Sequence, residues 1–589
     1  MCVRIRNIRY NFISSIFTNH KKEEILMCVK KFLLVLMLML LCVSVKAEAA
    51  SFRDELLKLE GVVSVDVIVQ SPDKSGNVAF KEKYIAWFEQ PLDWDNPSGG
   101  KFLQRAEIGF QGMDSVNVMY VGGYQLDDNY FPADDRIELV KMYSANFIKV
   151  EYRYFGESMP AGLSDDVPAL WEHLTNKNAV ADFHNIMEKL RGILSGNWVF
   201  TGASKGGYTT NIFAYYYPND ADAYVPYVAP LCEGTEDPRL PEAVYTVIGN
   251  ERYGAVQAKV YRDLMMKYLV EMIRERHYIQ PRYYKLISDD IPVGSEDFYI
   301  SPDAMPSYDI SYEAELLDLP VGVWQYDKGF DSFDAVLKMP KDTSRDRELY
   351  LRSMLELLRR VDDDGDMEEK KVNKATGVGV IYAYYVQVMK ENGSYCKMFK
   401  YFREALTREG LTLKFKEEDE PGYDARTQVK PHLLASLSFD RTLNDNIREW
   451  SHTTESNVMM IYGTSDPWYF MRMPDVTDNP NVHIFAAQYG HGAEISMLAS
   501  DDKAAATKLL DTWLQSDSNT DGKNDGTDTQ PDTDTQPDTN TQPDTDTQPD
   551  TNTQPEEIRV LPSSSGNCNF SGMGALMLSA MFVLIRRKK

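Results

Sequence analysis

The stretch from Trp198 to Gly207, Trp-Val-Phe-Thr-Gly-Ala-Ser-Lys-Gly-Gly, constrains this chain more than any other. Apolar and β-prone residues run into a Gly-x-Ser-x-Gly, and an aromatic, small-residue run from Tyr208 to Tyr217 follows at helical length. The pattern reads as strand, sharp turn and helix, which is a nucleophile elbow. At such a turn the serine takes a strained backbone conformation that lifts its hydroxyl clear of the sheet. The glycines on either side let neighbouring backbone pass without a Cβ clash. Ser204 is therefore the candidate nucleophile. The motif alone recurs by chance, as a glycine-rich turn with a bystander serine, and it is the flanking strand and helix that lift it above that background.

The surrounding pattern supplies a sheet for the elbow to stand on. Val62 to Gln70, Tyr84 to Gln90 and Phe102 to Phe110 read as leading antiparallel strands. Val116 to Val121, Phe147 to Tyr152, Trp198 to Thr201 and Tyr224 to Ala229 then alternate with helical stretches at Asp134 to Tyr143, Ala179 to Leu194 and Tyr208 to Tyr217. Strands alternating with helices mean a parallel sheet, here an α/β-hydrolase. Residues 231–445 break the alternation with long helical patterns at Gly254 to Arg276, Arg347 to Asp362 and Ala375 to Gly410, so they are expected to form an inserted helical lid. The sheet resumes at Val458 to Tyr462 and Val482 to Phe485, and the helix Lys503 to Leu514 closes it. The expected hydrolase domain thus comprises residues 51–230 and 446–514.

A serine hydroxyl needs a histidine to take its proton, and that histidine needs a carboxylate to fix its tautomer. In this fold the chain order is Ser, acid, His. His491, in Tyr489-Gly490-His491-Gly492, lies just past the last strand pattern in a glycine loop, whereas His483 sits inside that strand and is expected to be packed. Asp466, in Gly463-Thr464-Ser465-Asp466-Pro467-Trp468, occupies the turn after the preceding strand; Asp475 and Asp478 are rivals in a polar loop. The oxyanion needs two N–H donors, the first from Lys205 and the second from Gly123 or Tyr124 in the loop after Val121. Gly122-Gly123 also fits an ordinary turn.

The ends and the charge bound the rest. A net charge of -26 over 589 residues repels phosphate backbones and excludes nucleic acid as a partner. Met27-Cys28-Val29-Lys30-Lys31, an apolar run to Val45 and the small residues Ala47, Ala49 and Ala50 form a signal-peptide pattern, which makes Met27 the expected start and residues 1–50 an over-extended start plus leader. Residues 515–557 are an expected stalk, with a six-residue Thr/Gln/Pro/Asp repeat whose prolines fall at 531, 537, 543, 549 and 555. Residues 558–589 carry Ser563 to Cys568, the apolar run Met573 to Ile585 and a basic end, a stop-transfer pattern that is short for a full span. This tail resembles the bacterial C-terminal sorting signals of the Synergist type, and implies export and a membrane or cell-envelope attachment. Cys232 and Cys396 fit either a disulfide or two thiols. No cysteine or histidine spacing calls for a metal, and no cofactor is expected.

Several motifs in fixed order carry a family resemblance. Phe102 to Arg105, Tyr152 to Pro160 (Tyr-Arg-Tyr-Phe-Gly-Glu-Ser-Met-Pro), Ala179 to His184, Gly202 to Gly207, Tyr227 to Pro230 and Trp324-Gln325-Tyr326 together resemble the secreted tripeptidyl aminopeptidases, serine peptidase family thirty-seven, whose cousins are prolyl carboxypeptidase and dipeptidyl peptidase II. The resemblance runs from about residue 55 to 514. It implies a capped α/β-hydrolase that takes a peptide substrate and removes short peptides from free N-termini, in some members after proline. Gly122-Gly123-Tyr124-Gln125 departs from it by lacking an acidic residue near the loop. Glu157, Glu233, Glu236 and Asp237 are the candidates for holding the substrate amine, Glu157 and Glu233 foremost. Trp468, Phe470, Trp324 and Tyr326 are candidates for a proline-sized pocket. An esterase or acyltransferase with the same triad, or a surface-displayed binding protein on a hydrolase body, are the alternatives.

Overall fold

Where a strand is covered on both faces, its residues are apolar without alternation, and that is how the centre of this chain is written. In a computed structural model that describes residues 51–72, 75–126, 136–162, 168–289, 309–326, 330–362 and 380–515, eleven strands occur: β1 (Val62–Val67), β2 (Glu82–Pro91), β3 (Lys101–Phe110), β4 (Asn117–Val121), β5 (Asn146–Val150), β6 (Trp198–Ala203), β7 (Ala223–Tyr227), β8 (Glu236–Asp237), β9 (Ser394–Tyr395), β10 (Val458–Gly463) and β11 (Val482–Ala487). Nine of them form one sheet in the order β1-β2-β3-β5-β4-β6-β7-β10-β11. β1, β2 and β3 pair antiparallel, β3 meets β5 antiparallel, and every pairing from β5 to β11 is parallel. Every residue of β6, β7 and β10 is buried.

Alternate residues of these strands feed two cores. Ile148, Phe200, Tyr224 and Met460 enter one, while Phe147, Val199, Val225 and Met459 enter the other. Helix α1 (Asn176–Arg191) and helix α2 (Lys205–Tyr216), which begins directly at the elbow, cover the first face. This mostly parallel sheet with helices on both faces and a strand-serine-helix turn at its centre is an α/β-hydrolase fold.

Between β7 and β10 the chain builds a third core from α3 (Ala255–Arg274), α4 (Arg276–Asp289), α5 (Asp309–Tyr326) and α6 (Ser344–Asp362), joined by Trp468 and Met471 from the loop after β10. The helical run expected from Ala375 to Gly410 is a correction. Residues 375–379 lie outside the described residues, and the rest divides into α7 (Val380–Gln387), a π-type turn at Val388–Asn392, strand β9 and α8 (Lys400–Arg408). The break falls at Gly393, whose φ of 68° ends the helix and whose missing Cβ leaves room for the Gly234 carbonyl. Strand β9 then pairs with β8.

Helix α5 left no clear trace in the sequence, for two reasons. Pro320 lies inside it, and Glu313, Glu315 and Asp318 make it look polar although all three are buried. Each finds a partner in the insertion: Arg276 for Glu313, Tyr283 for Glu315, and Lys397 with Tyr395 for Asp318. Cys232 and Cys396 are free thiols. Among the described residues no helix is long and apolar enough to cross a membrane. The leader, stalk and sorting-type tail read from the sequence lie outside the described residues.

Candidate active site

Strand β6 ends at Ala203 and α2 starts at Lys205, so Ser204 alone makes the turn, at φ 56° and ψ -122°. A non-glycine residue held there stores about 1–3 kcal/mol, and the surroundings must enforce it. They do so through close backbone packing. Ser204 N–H donates to the Tyr227 carbonyl at 2.9 Å, and a Cβ on Gly206 would lie 1.9 Å from the Val121 oxygen. Glycine at 206 is thus what lets the loop after β4 sit against the elbow.

The candidate acid and base come from the two strands beyond. Asp466 follows the turn after β10, caps the short 3-10 helix Pro467–Met471 and is fully buried. One of its oxygens accepts from Trp468 N–H at 3.1 Å, and the other lies 2.7 Å from His491 Nδ1. His491, in the loop after β11, is buried too, and its Nε2 has no hydrogen-bond partner. An imidazole tied at Nδ1 to a carboxylate and open at Nε2 can accept a proton there. The rival acids lie elsewhere: Asp475 is exposed and pairs with Arg472 at 3.0 Å, and Asp478 is exposed and pairs with His452 at 2.6 Å. His483 stands in β11, stacked on Phe485 and tilted against Trp513 at 5.9 Å.

What holds the histidine loop is not legible in the sequence. His491 N–H donates to the Gln325 carbonyl at 2.7 Å, so the C-terminal end of lid helix α5 grips the loop directly. Trp468 Nε1 donates to Gln325 Oε1 at 3.3 Å, which ties the loop of Asp466 to the same residue. On the other side Glu138 accepts from Ile495 N–H at 2.7 Å, Ser496 N–H at 3.0 Å and the Tyr227 hydroxyl at 2.8 Å. A backbone carbonyl carries no side-chain signature, so the Gln325 contact had no signal in the sequence.

The loop expected to complete the oxyanion site is pinned just as firmly. Gly123, at φ 83°, packs against Lys205, where a Cβ would meet Lys205 Cγ at 2.9 Å. Further along, the buried Glu151 accepts from Leu126 N–H at 3.0 Å, Glu157 N–H at 3.0 Å, Ser158 Oγ at 2.7 Å and Arg105 Nη2 at 2.7 Å. Burial still raises the Glu151 carboxyl above the usual range, although Arg105 opposes it. Nothing in the sequence marks Arg105 and Glu151 as a pair, because a buried ion pair looks like two surface charges.

The substrate-binding candidates divide. Glu157 and Glu233 are both exposed, and Glu233 faces Arg239 at 3.3 Å, so neither is a buried carboxylate free to receive an amine. Asp237 is committed to Arg239, and Glu236 accepts from Gly422 N–H at 2.6 Å. Trp324 is a second correction. It packs on Phe330, Tyr253 and Tyr261 inside the lid core, because two residues along a helix turn about 200° and place it opposite Tyr326. Tyr326 is the one that faces the site, with its ring 6.4 Å from the His491 ring. Trp468 is buried against Tyr395, and Phe470 is partly buried against the lid core.

The chain is similar to several known proteins. The chain is 24% identical over 478 residues to prolyl tri/tetrapeptidyl aminopeptidase of Streptomyces mobaraensis, which covers 80% of this chain and 86% of that one. It is 33% identical over 154 residues to the thymus-specific serine protease of Mus musculus, across 25% of this chain and 30% of the other. A solved proline iminopeptidase of Mycobacterium smegmatis aligns at a TM-score of 0.31 with 12% identity, over 73% of this chain and 100% of that one. A profile of the PS-10 peptidase S37 family matches residues 46–347, and the chain belongs to that family of serine peptidases.

Proposed function

We propose that this serine peptidase is an aminopeptidase that releases short peptides, tripeptides foremost, from free N-termini through an acyl-enzyme on Ser204. The observation that carries the chemistry is the buried Asp466–His491 pair, 2.7 Å apart, with Nε2 unpartnered and a strained serine turn in the same fold. In the proposed reaction Ser204 Oγ attacks the scissile carbonyl and its proton passes to His491 Nε2. The oxyanion is held by N–H groups of Lys205 and of Gly123 or Tyr124. His491 then returns the proton to the leaving amine, and water, activated the same way, cleaves the ester.

The restriction to chain ends is supported by the lid, whose helix α5 reaches the histidine loop through Gln325, and by the name of the Streptomyces mobaraensis relative. Tyr326 is the aromatic proposed to meet the residue beside the cleaved bond. Glu157 and Glu233 are not retained as amine ligands. Export and attachment to the envelope belong to the same proposal and are supported by the sequence at residues 27–50 and 558–589.

Free and N-acetylated tripeptidyl anilides, alongside short-chain aryl esters, test this reading. Acetylation removes the ammonium charge, and a loss of about 2 kcal/mol corresponds to about 30-fold in kcat/KM. We expect at least that ratio. Equal rates on both peptides would refute the exopeptidase restriction, and cleavage of esters alone would move the assignment to an esterase.

A further inference from the structure

Lys205 directly follows the nucleophile, yet its side chain does not reach solvent. It is 5% exposed, and its Nζ donates to the Gly123 carbonyl at 2.5 Å. The rings of Tyr152, Phe155 and Tyr124 surround the amine, with centroids 3.4, 4.9 and 5.2 Å from Nζ. Among the described residues no carboxylate pairs with it, and burial alone pushes it well below the usual lysine range. A buried amine without a counter-ion is costly, and a methionine would fill the same space without that cost. The position therefore uses the nitrogen for something.

The geometry of the peptide bond says what. In a trans peptide the C=O of one residue and the N–H of the next point in opposite directions within one plane. Holding the Gly123 oxygen at Nζ therefore aims the Tyr124 N–H away from Nζ. Gly123, at φ 83°, is the kind of residue at which that plane would otherwise turn freely. A donor on the carbonyl also polarises the peptide and makes its N–H a stronger donor. The clamp works whether the amine is protonated or neutral, because both forms carry N–H.

We propose that Lys205 is a positioning residue which supplies one oxyanion donor from its backbone and, through the Nζ bond to Gly123, orients the second at Tyr124. This rests on the assignment of Ser204 as nucleophile. Acyl chemistry would thereby be coupled to one side chain that never touches the substrate.

The test compares wild type with Lys205→Met and Lys205→Gln. It measures the rate of fluorophosphonate labelling at Ser204, kcat and KM on a free tripeptidyl anilide, and the affinities for a tripeptidyl aldehyde and for the product tripeptide. Loss of one oxyanion donor costs about 10²-fold. We expect Lys205→Met to lose about that factor in labelling, kcat and aldehyde affinity, with KM and product affinity within about threefold. Lys205→Gln, which keeps an N–H donor, should retain at least about tenfold more of each than Lys205→Met. Should Lys205→Met not fold, Lys205→Gln alone decides against wild type: a fall in labelling of about twofold to tenfold, with product affinity within about threefold, upholds the clamp. An unchanged labelling rate, or equal losses of aldehyde and product affinity, overturns it. Wild type that is not labelled at Ser204 would instead sink the nucleophile assignment itself.

Discussion

Replacing His491 by alanine or Asp466 by asparagine is expected to lower kcat by about 10³-fold or more while the fold persists. The carboxylate sets the effect. Asp466 places one oxygen on Trp468 N–H and the other on His491 Nδ1, and it is fully buried. Asparagine keeps the size but presents an amide that can donate, which favours the wrong imidazole tautomer and turns Nε2 from acceptor to donor. Alanine at 491 removes the acceptor outright. Because Gln325 holds His491 through its backbone, the loop keeps that hydrogen bond in His491→Ala. Steady-state kinetics with thermal melts of both variants check this. A loss below tenfold at Asp466 would show that the contact is structural.

The second large effect falls on stability. Arg153 and Asp182 are both fully buried and joined by two bonds, Nε to Oδ2 at 2.7 Å and Nη2 to Oδ1 at 2.8 Å. The remaining guanidinium N–H groups donate to the carbonyls of Pro91, Leu92 and His173, which fastens the end of β2 and the start of α1 to the loop after β5. Arg153→Met would leave Asp182 with only Trp94 Nε1, and removing one partner of such a pair costs about 3–5 kcal/mol. Burial already raises the Asp182 carboxyl, with Arg153 opposing the shift, so the variant raises it further. A folded-state pKa above the unfolded value means that the folded chain binds a proton the unfolded chain releases. Arg153→Met should therefore regain stability as pH falls through the raised Asp182 value toward the ordinary carboxylate range, and lose it as pH rises back through that window. Chemical denaturation across a pH series reads both signs.

How much of this was legible follows from what each residue shows in a sequence. Strands β6 and β10 are buried on both faces and so appear as unbroken apolar runs, which placed the elbow and the turn of Asp466. Those placements, with the glycine loop of His491, predicted the juxtaposition of the two side chains that the structure displays. Arg153 and Asp182 both stand in recognisable motifs, yet nothing in their spacing of 29 residues announces a pair. Helix α5 is hidden behind Pro320 and three acids that find partners only in the folded insertion, so the sequence does not show that Trp324, a pocket candidate, faces that core instead. The side chain of Lys205 was legible as a residue and not as a clamp, since its acceptor is a carbonyl 82 residues earlier.

Treating the purified chain with a fluorophosphonate and locating the adduct by peptide mass mapping tests most directly whether Ser204 is the nucleophile. A single adduct is expected on the peptide containing Ser204, none in Ser204→Ala, and loss of peptidase activity in step with labelling. An adduct elsewhere, or peptidase activity that survives complete labelling of Ser204, would contradict it.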